Sequence, residues 1–373
     1  MKVNPLQPFA LERFFARYEF TTRYLLCSSD PESMSLSELL ALEPGAERRF
    51  AELRLGYIDS RGTPELRRAV ATLYERVAGD QVLAHGGAEE PIFTFMHAVV
   101  EPGDELIVQF PAYQSHYSIA ESLGARVIRW DCDLDRGGAP DIGELERLIR
   151  PQTRAIVITT PNNPTGYQFS RTELDAIVGL ARGRAVWLFG DEVYRGTERE
   201  AQRLPAVCDL YERGVSLGGL AKAYGLAGLR IGWVATPERK LIEKMASIKD
   251  YLTICNSAPG EFLAALALRH AGRLTDRVKN ITSRNLDLLD EFFARRAGLF
   301  EWARPCAGTT AFPRYLPGGS EAFCTRLVER AGVLLLPSSA FDAGDAHFRI
   351  GYGRANCPQA LAALDEFFNT NRS

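Results

Sequence analysis

The sequence predicts an α/β fold: a mainly parallel central sheet flanked by helices, with a smaller α+β unit beside it. Three observations carry this expectation. Short apolar runs bounded by turn residues recur through the first two thirds of the chain. Segments with apolar residues three or four apart fall between those runs. After about residue 270 the texture changes to one long charged helix followed by short strands and helices. Strands that alternate with helices imply a parallel sheet covered on both faces.

The strands are read from LIVQF (Leu106 to Phe110), ARVIRW (Ala125 to Trp130), AIVITT (Ala155 to Thr160) and AVWLFG (Ala185 to Gly190). A helix is expected from Thr63 to Ala78, with Leu66, Val70, Leu73 and Val77 on one face, Thr63 as cap and Pro64 in the first turn. Gln114 to Leu123 and Ser170 to Leu180 read the same way. Ser170 and Glu173 have the spacing of a capping box. Beyond residue 270 come a long helix (Arg273 to Ala297), TTAFPRYL, a helix from Glu321 to Ala331, VLLLP, HFRIGYG and a last helix from Pro358 to Phe368. The expected division is a large unit, 46–270, and a small unit made of 1–45 and 271–373.

The bulk numbers fit a globular protein. The 373 residues are 46% hydrophobic and 24% charged, enough for a substantial core. The formal net charge of -3 gives no basic bias, so no nucleic-acid partner is expected. Seven scattered cysteines form no CxxC pair. A disulfide framework or metal site is therefore not expected, and a reducing cytoplasm is the default. The N-terminal stretch is broken by Glu12, Arg13 and Arg17, unlike a signal peptide. No run approaches the roughly 18 apolar residues of a membrane span.

Ligands of open α/β sheets sit beyond the carboxyl ends of the strands. Several polar stretches fall there: HGGAEE, PAYQSH, PNNPTG, DEVY and the segment SLGGLAKAYGLAGLRIGW. In the last, Lys222 stands in apolar surroundings. Burial penalises an ammonium, and a neutral amine can form a Schiff base. A lysine that snorkels to solvent or pairs with a carboxylate would look the same. Asp191 ends a buried strand and needs a positive partner, either a protonated heterocyclic nitrogen, an arginine or a helix N-terminus. Tyr194, three residues on, could offer its hydroxyl to the same ligand. Gly86 and Gly87 precede a helix whose free amides suit a phosphate. Tyr113 could stack on a ring.

Together and in this order, these motifs resemble the fold-type I pyridoxal 5′-phosphate (PLP) enzymes, the class I/II aminotransferases. The resemblance spans nearly the whole chain: YxxxxGxxELR from Tyr57, GGA, PxY, NPTG, DEVY, KAYGLAGLRIGW and FRIG. Asp191 and Lys222 are 31 residues apart, and Arg230 follows eight later. The resemblance implies a role for each match. Lys222 forms the Schiff base and moves the proton. Asp191 keeps the pyridine nitrogen protonated. Asn163 and Tyr194 hydrogen-bond the ring's 3′-oxygen, and Tyr113 stacks on the ring. The backbone of Gly87, Ala88 and Glu89, with Arg230, holds the phosphate. Arg349, with Asn163 beside it, binds the substrate α-carboxylate. Tyr57 reaches the neighbouring subunit's phosphate, so a homodimer with shared sites is implied.

The implied reaction moves an amino group between an α-amino acid and a 2-oxo acid. The stretches CSSDPESMSLSELLAL and KDYLTICNSAPGE are most similar to the branch that includes the capreomycidine synthases, which implies an alternative: a PLP-dependent lyase or cyclase acting on an arginine-like amino acid. Gly219 departs from the family, where many relatives carry a hydroxyl for the phosphate; Ser216 is a candidate to compensate. Ser28, Ser29 and Glu32 are candidates to face the substrate side chain.

Overall fold

An eight-stranded sheet forms where the sequence places its apolar runs. The computed structural model describes residues 5–199 and 201–370. Its central strands are β1 (Val82–His85), β2 (Glu105–Phe110), β3 (Arg126–Asp133), β4 (Ala139–Pro140), β5 (Thr153–Thr159), β6 (Trp187–Asp191), β7 (Gly214–Gly219) and β8 (Gly232–Ala235). They lie in the order β1-β8-β7-β6-β5-β2-β3-β4. Only β8 and β4 run antiparallel to their neighbours. Alternation along each strand feeds two layers. In β2, Leu106 and Val108 join Phe95, Val157 and Met245 on one face. Ile107 joins Trp130, Leu174 and Ile177 on the other.

Two expected boundaries shift. Strand β6 begins at Trp187, not Ala185, because Ala185 takes a left-handed φ of 54° that no strand accommodates. The helix expected to reach Ala78 ends at Ala71, although Thr63 caps it and Pro64 opens it as anticipated. The cause lies far along the chain: the Asp209 carboxylate accepts hydrogen bonds from the Glu75 and Arg76 amides, both at 2.9 Å, and draws the chain into a turn. The capping box at Ser170 is present, and the long helix runs Ala271–Arg295.

The C-terminal third builds a separate core. Strands Thr310–Ala311, Leu336–Pro337 and Phe348–Gly351 make a three-stranded antiparallel sheet. Phe292, Phe293, Phe300, Phe323, Phe348 and Leu364 pack beneath it. Tyr24–Leu25 pairs in parallel with Val333–Leu334, which brings the N-terminal segment to this unit. On these separate cores we propose the division 46–270 and 1–45 with 271–373. Leu39 and Leu40 reach across it to the cluster of Leu66, Val70 and Leu263.

Residues 26–33 lie tight against the last strand. Gly351 donates to the Leu26 carbonyl and Glu32 to the Gly353 carbonyl, each at 2.8 Å. A Cβ at Gly351 would overlap the Ser28 carbonyl oxygen, and one at Gly353 would stand 2.6 Å from Pro31 Cα. Both obstacles are backbone and cannot rotate away. Gly351→Ala is therefore expected to lower stability by about 2 kcal/mol or more. The same change at Gly179, inside helix Arg171–Gly183 with nothing within 4 Å, is expected to raise it by about 0.5–1 kcal/mol. Urea unfolding of the two variants measures both signs.

Candidate active site

The strand ends are in register: Thr159 of β5 lies opposite Asp191 of β6, which lies opposite Leu217 of β7. Just beyond them is a cavity of about 380 Å³. Ala88, Glu89, Tyr113, Asn163, Asp191, Tyr194, Lys222, Arg230 and Arg349 all line it, so nine expected site residues from seven chain segments meet there.

Arg349 is the most constrained. It is 1% exposed, and burial disfavours its charge. Its Nε donates to the Cys27 carbonyl at 3.0 Å and its Nη1 to Asn163 Oδ1 at 3.1 Å. Phe15 and Phe341 flank the guanidinium. Among the described residues no carboxylate pairs with it. A buried cation without an anion is costly unless a ligand supplies one.

Lys222 follows β7 by three residues. Its Nζ donates to Ser29 Oγ at 2.7 Å. Burial lowers its pKa to about 8; Asp30 and Asp191 oppose that shift, and Arg349 and Arg230 reinforce it. Asp191 is anchored through one oxygen, which accepts from the Val193 amide at 3.2 Å. Its other oxygen lies 3.2 Å from His116 Nε2, in contact but without the alignment of a hydrogen bond. The Tyr194 hydroxyl is buried and has no hydrogen-bond partner among the described residues. Burial holds its phenol above the usual range, opposed by Arg349 and the neighbouring Ser29 hydroxyl.

The glycine loop forms a cradle. Helix Glu89–Val99 starts at its rim, and among the described residues the Ala88 and Glu89 amides have no partner. Gly87 has φ +95°, and a Cβ there would stand 2.7 Å from Arg230 Nη2. Only glycine allows the guanidinium so close. The Glu89 side chain turns away to bond Ser115, and burial raises its carboxyl pKa.

The candidates Glu32 and Ser216 need correction, whereas Tyr57, expected to serve the neighbouring subunit, stands apart from this cavity. Glu32 is not on the cavity wall: its carboxylate accepts from the Ala355 amide at 3.0 Å, in the packing of the small unit. Ser28 and Ser29 do line the cavity, and the acidic residue beside them is Asp30. Ser216 cannot compensate for Gly219, because its hydroxyl accepts from the Cys208 amide at 3.1 Å, facing the core. Tyr57 lies outside this cavity and is 93% exposed. Sequence reasoning missed His116, one helical turn after Tyr113, and the contribution of the N-terminal helix Ala10–Tyr18. Leu11, Glu12 and Phe15 from that helix, with Glu19 just past it, line the cavity. Gln114 latches the helix in place: its Oε1 accepts from the Ala10 amide and its Nε2 donates to the Pro8 carbonyl.

Comparison with known proteins agrees with this geometry. The pattern of the family described as aminotransferase class I and II matches residues 25–364. Capreomycidine synthase of Streptomyces vinaceus is 32% identical over 375 residues, covering 98% of this chain and 94% of that protein. A PLP-dependent aminotransferase from Streptococcus suis has a TM-score of 0.93 at 31% identity over the full length of both chains. The PLP-dependent cyclase OrfR has a TM-score of 0.90 at 27% identity, covering 99% of this chain and 100% of that one.

Gly219 offers a test of the cradle. A Cβ there would lie 3.7 Å from Ala88 Cβ and from Gly232 Cα, at ordinary contact distance, so a serine fits. Gly219→Ser is expected to tighten PLP binding about five-fold, the effect of one added hydrogen bond. Equilibrium dialysis of the cofactor measures it.

Proposed function

Given that this chain belongs to the class I and II aminotransferase family and works with pyridoxal 5′-phosphate, we propose that it transfers the amino group of an α-amino acid to a 2-oxo acid, with Lys222 as the cofactor-bearing lysine and proton carrier. The observation that carries this reading is Arg349, a buried guanidinium with open N–H groups on the same cavity as the Lys222 amine. Such a fork suits an α-carboxylate.

The residues present fit the cofactor. Among the described residues the Tyr194 hydroxyl and the Ala88 and Glu89 amides have no hydrogen-bond partner, and the Arg230 guanidinium stands close against Gly87. Ala88, Glu89 and Arg230 would hold the phosphate. Asn163 and Tyr194 would hold the 3′-oxygen, and Tyr113 would cover the ring. Asp191 would carry the pyridinium hydrogen bond, with His116 beside it. When bound, PLP supplies an electron sink for the pair left when a bond to Cα breaks. Arg349 fixes the carboxylate and thereby aims the Cα–H bond at the lysine. Lys222, its pKa lowered by burial to about 8, is more readily deprotonated than an ordinary lysine and would take the Cα proton on Nζ. The N-terminal helix, latched by Gln114, screens the cavity from bulk water.

The substrate side chain would be cationic. Glu12, Glu19 and Asp30 share the cavity wall. Burial and then the charges of Glu12 and Asp30 raise the Glu19 carboxyl pKa, a crowding that an entering cation would relieve. The same acidic wall favours a second reading, elimination or cyclisation on an arginine-like amino acid, which matches the names of the two synthase and cyclase relatives. A homodimer with shared sites fits the exposed Leu55, Tyr57, Tyr251 and Ile254, a patch suited to a second copy. Thr253 ties this patch to the cradle through Glu90, at 2.7 Å.

A donor screen with product analysis tests the reading. Arginine, ornithine or lysine should be turned over with release of their 2-oxo acids. Formation of the 2-oxo acid from a donor with stoichiometric amination of an acceptor identifies transamination; an unsaturated or cyclic product without acceptor use identifies the second reading. Turnover of apolar or acidic amino acids alone would sink the cationic assignment. Arg349→Lys is expected to raise KM for the donor roughly ten- to hundred-fold, through loss of the two-pronged carboxylate contact.

A further inference from the structure

Ser29 makes a contact that the functional reading above does not use. Its hydroxyl receives the Lys222 amine at 2.7 Å, across 193 residues of sequence. Among the described residues this is the amine's one hydrogen bond.

The segment that carries Ser29 is fixed from several sides. Thr309 Oγ1 donates to the Ser29 carbonyl at 2.5 Å. Arg349 Nε holds the Cys27 carbonyl, and Arg277 Nη1 donates to the Glu32 carbonyl at 2.5 Å. The close packing of Gly351 on Ser28 and of Gly353 on Pro31 leaves the backbone no slack. A hydroxyl held this firmly is a defined acceptor, whereas a free lysine amine on its four-carbon stem would spread over many rotamers.

The identity of the contacting atom also matters. Asp30 is the next residue, but its carboxylate is engaged by Arg354 at 2.7 Å. The amine therefore touches a neutral hydroxyl while a carboxylate acts only at a distance. A carboxylate in contact would lock the lysine as ammonium; a hydroxyl accepts one N–H and leaves the amine able to lose a proton.

We propose that Ser29 is a positioning residue for Lys222, receiving its amine whenever it is free of the cofactor and holding it in one orientation on the cavity wall. This rests on the reading of Lys222 as the proton carrier. The groups that set the lysine's charge are Asp30 on the same segment, Asp191 at the end of β6, Arg349 on the last strand and Arg230 beyond β7. Ser29 adds the contact that fixes where that charge sits.

The test compares wild type, Ser29→Ala and Ser29→Thr in two arms. In the first, cofactor-free protein is labelled with a small amine reagent across pH, and Lys222 modification is read by peptide mass spectrometry against the other lysines. The wild-type midpoint is expected near 8. In Ser29→Ala it should fall by roughly half a unit, because the lost acceptor favoured the ammonium over the amine. Ser29→Thr should restore it. In the second arm, with cofactor bound, Ser29→Ala should lower kcat about ten-fold with KM within two-fold of wild type, and Ser29→Thr should recover most of the rate. A Ser29→Ala midpoint that coincides with wild type overturns the proposal. Cofactor attachment to a lysine other than Lys222 would defeat the functional reading instead, and the cofactor-free labelling still decides the role of Ser29.

Discussion

The buried guanidinium of Arg349 is the joint on which the site depends. Its strand belongs to the small C-terminal sheet, its Nε holds the N-terminal segment at Cys27, and its Nη1 holds Asn163 on the loop after β5. Three parts of the chain that are remote in sequence are thereby set around one cation. Among the described residues it receives two hydrogen-bond acceptors and two aromatic neighbours but no carboxylate in contact. What remains open on the guanidinium faces the cavity, and an anion from outside completes it. In the function we propose, the α-carboxylate of an amino acid would satisfy that demand, aligned by the same contacts that hold the cavity together.

The rest of the electrostatics follows from a short list of charges. Burial, reinforced by Arg349 and Arg230, keeps Lys222 from holding its proton tightly, while Asp30 and Asp191 oppose that shift. The outcome is an amine able to work in either direction near neutral pH, as a proton carrier requires. At the other end of the cavity the glycine loop brings the free Ala88 and Glu89 amides and Arg230 together, while the Glu90 carboxylate is engaged by the Gly86 amide. The acidic residues are kept to the wall formed by the N-terminal helix and the 28–30 segment. Positive charge at the cradle and the carboxylate end, and negative charge where a side chain would project, give the cavity a polarity suited to a cationic amino acid.

Much of this was legible in the sequence, and what was missed has physical causes. The strand ends were readable because buried strands are apolar runs and the polar residues that follow them interrupt the run. Lys222 and Asp191 stood out in this way, and the resemblance to the class I/II aminotransferases singled out Asn163 and Arg349. The acidic wall was not, because Glu12 and Glu19 reach the cavity only through the latch of Gln114 on the helix before them, more than a hundred residues away in sequence. Glu32 was a candidate for the wall and Asp30 was not considered, because chain position alone does not reveal which side of an extended segment is pressed against Gly351 and Gly353. The shortened helix after Pro64 has the same origin: its periodicity continues to Val77, but Asp209, remote in sequence, takes the Glu75 and Arg76 amides out of the helix. Local pattern specifies the elements, and distant hydrogen bonds decide where they stop.

The central claim is that Lys222 is the residue to which the cofactor attaches. Reduction of the PLP-loaded protein with borohydride, followed by proteolysis and peptide mass mapping, tests it most directly. The account predicts that the phosphopyridoxyl group is found on Lys222 alone and that Lys222→Ala takes no label while retaining its fold. Labelling of another lysine in the wild type, or undiminished labelling of Lys222→Ala, would contradict it.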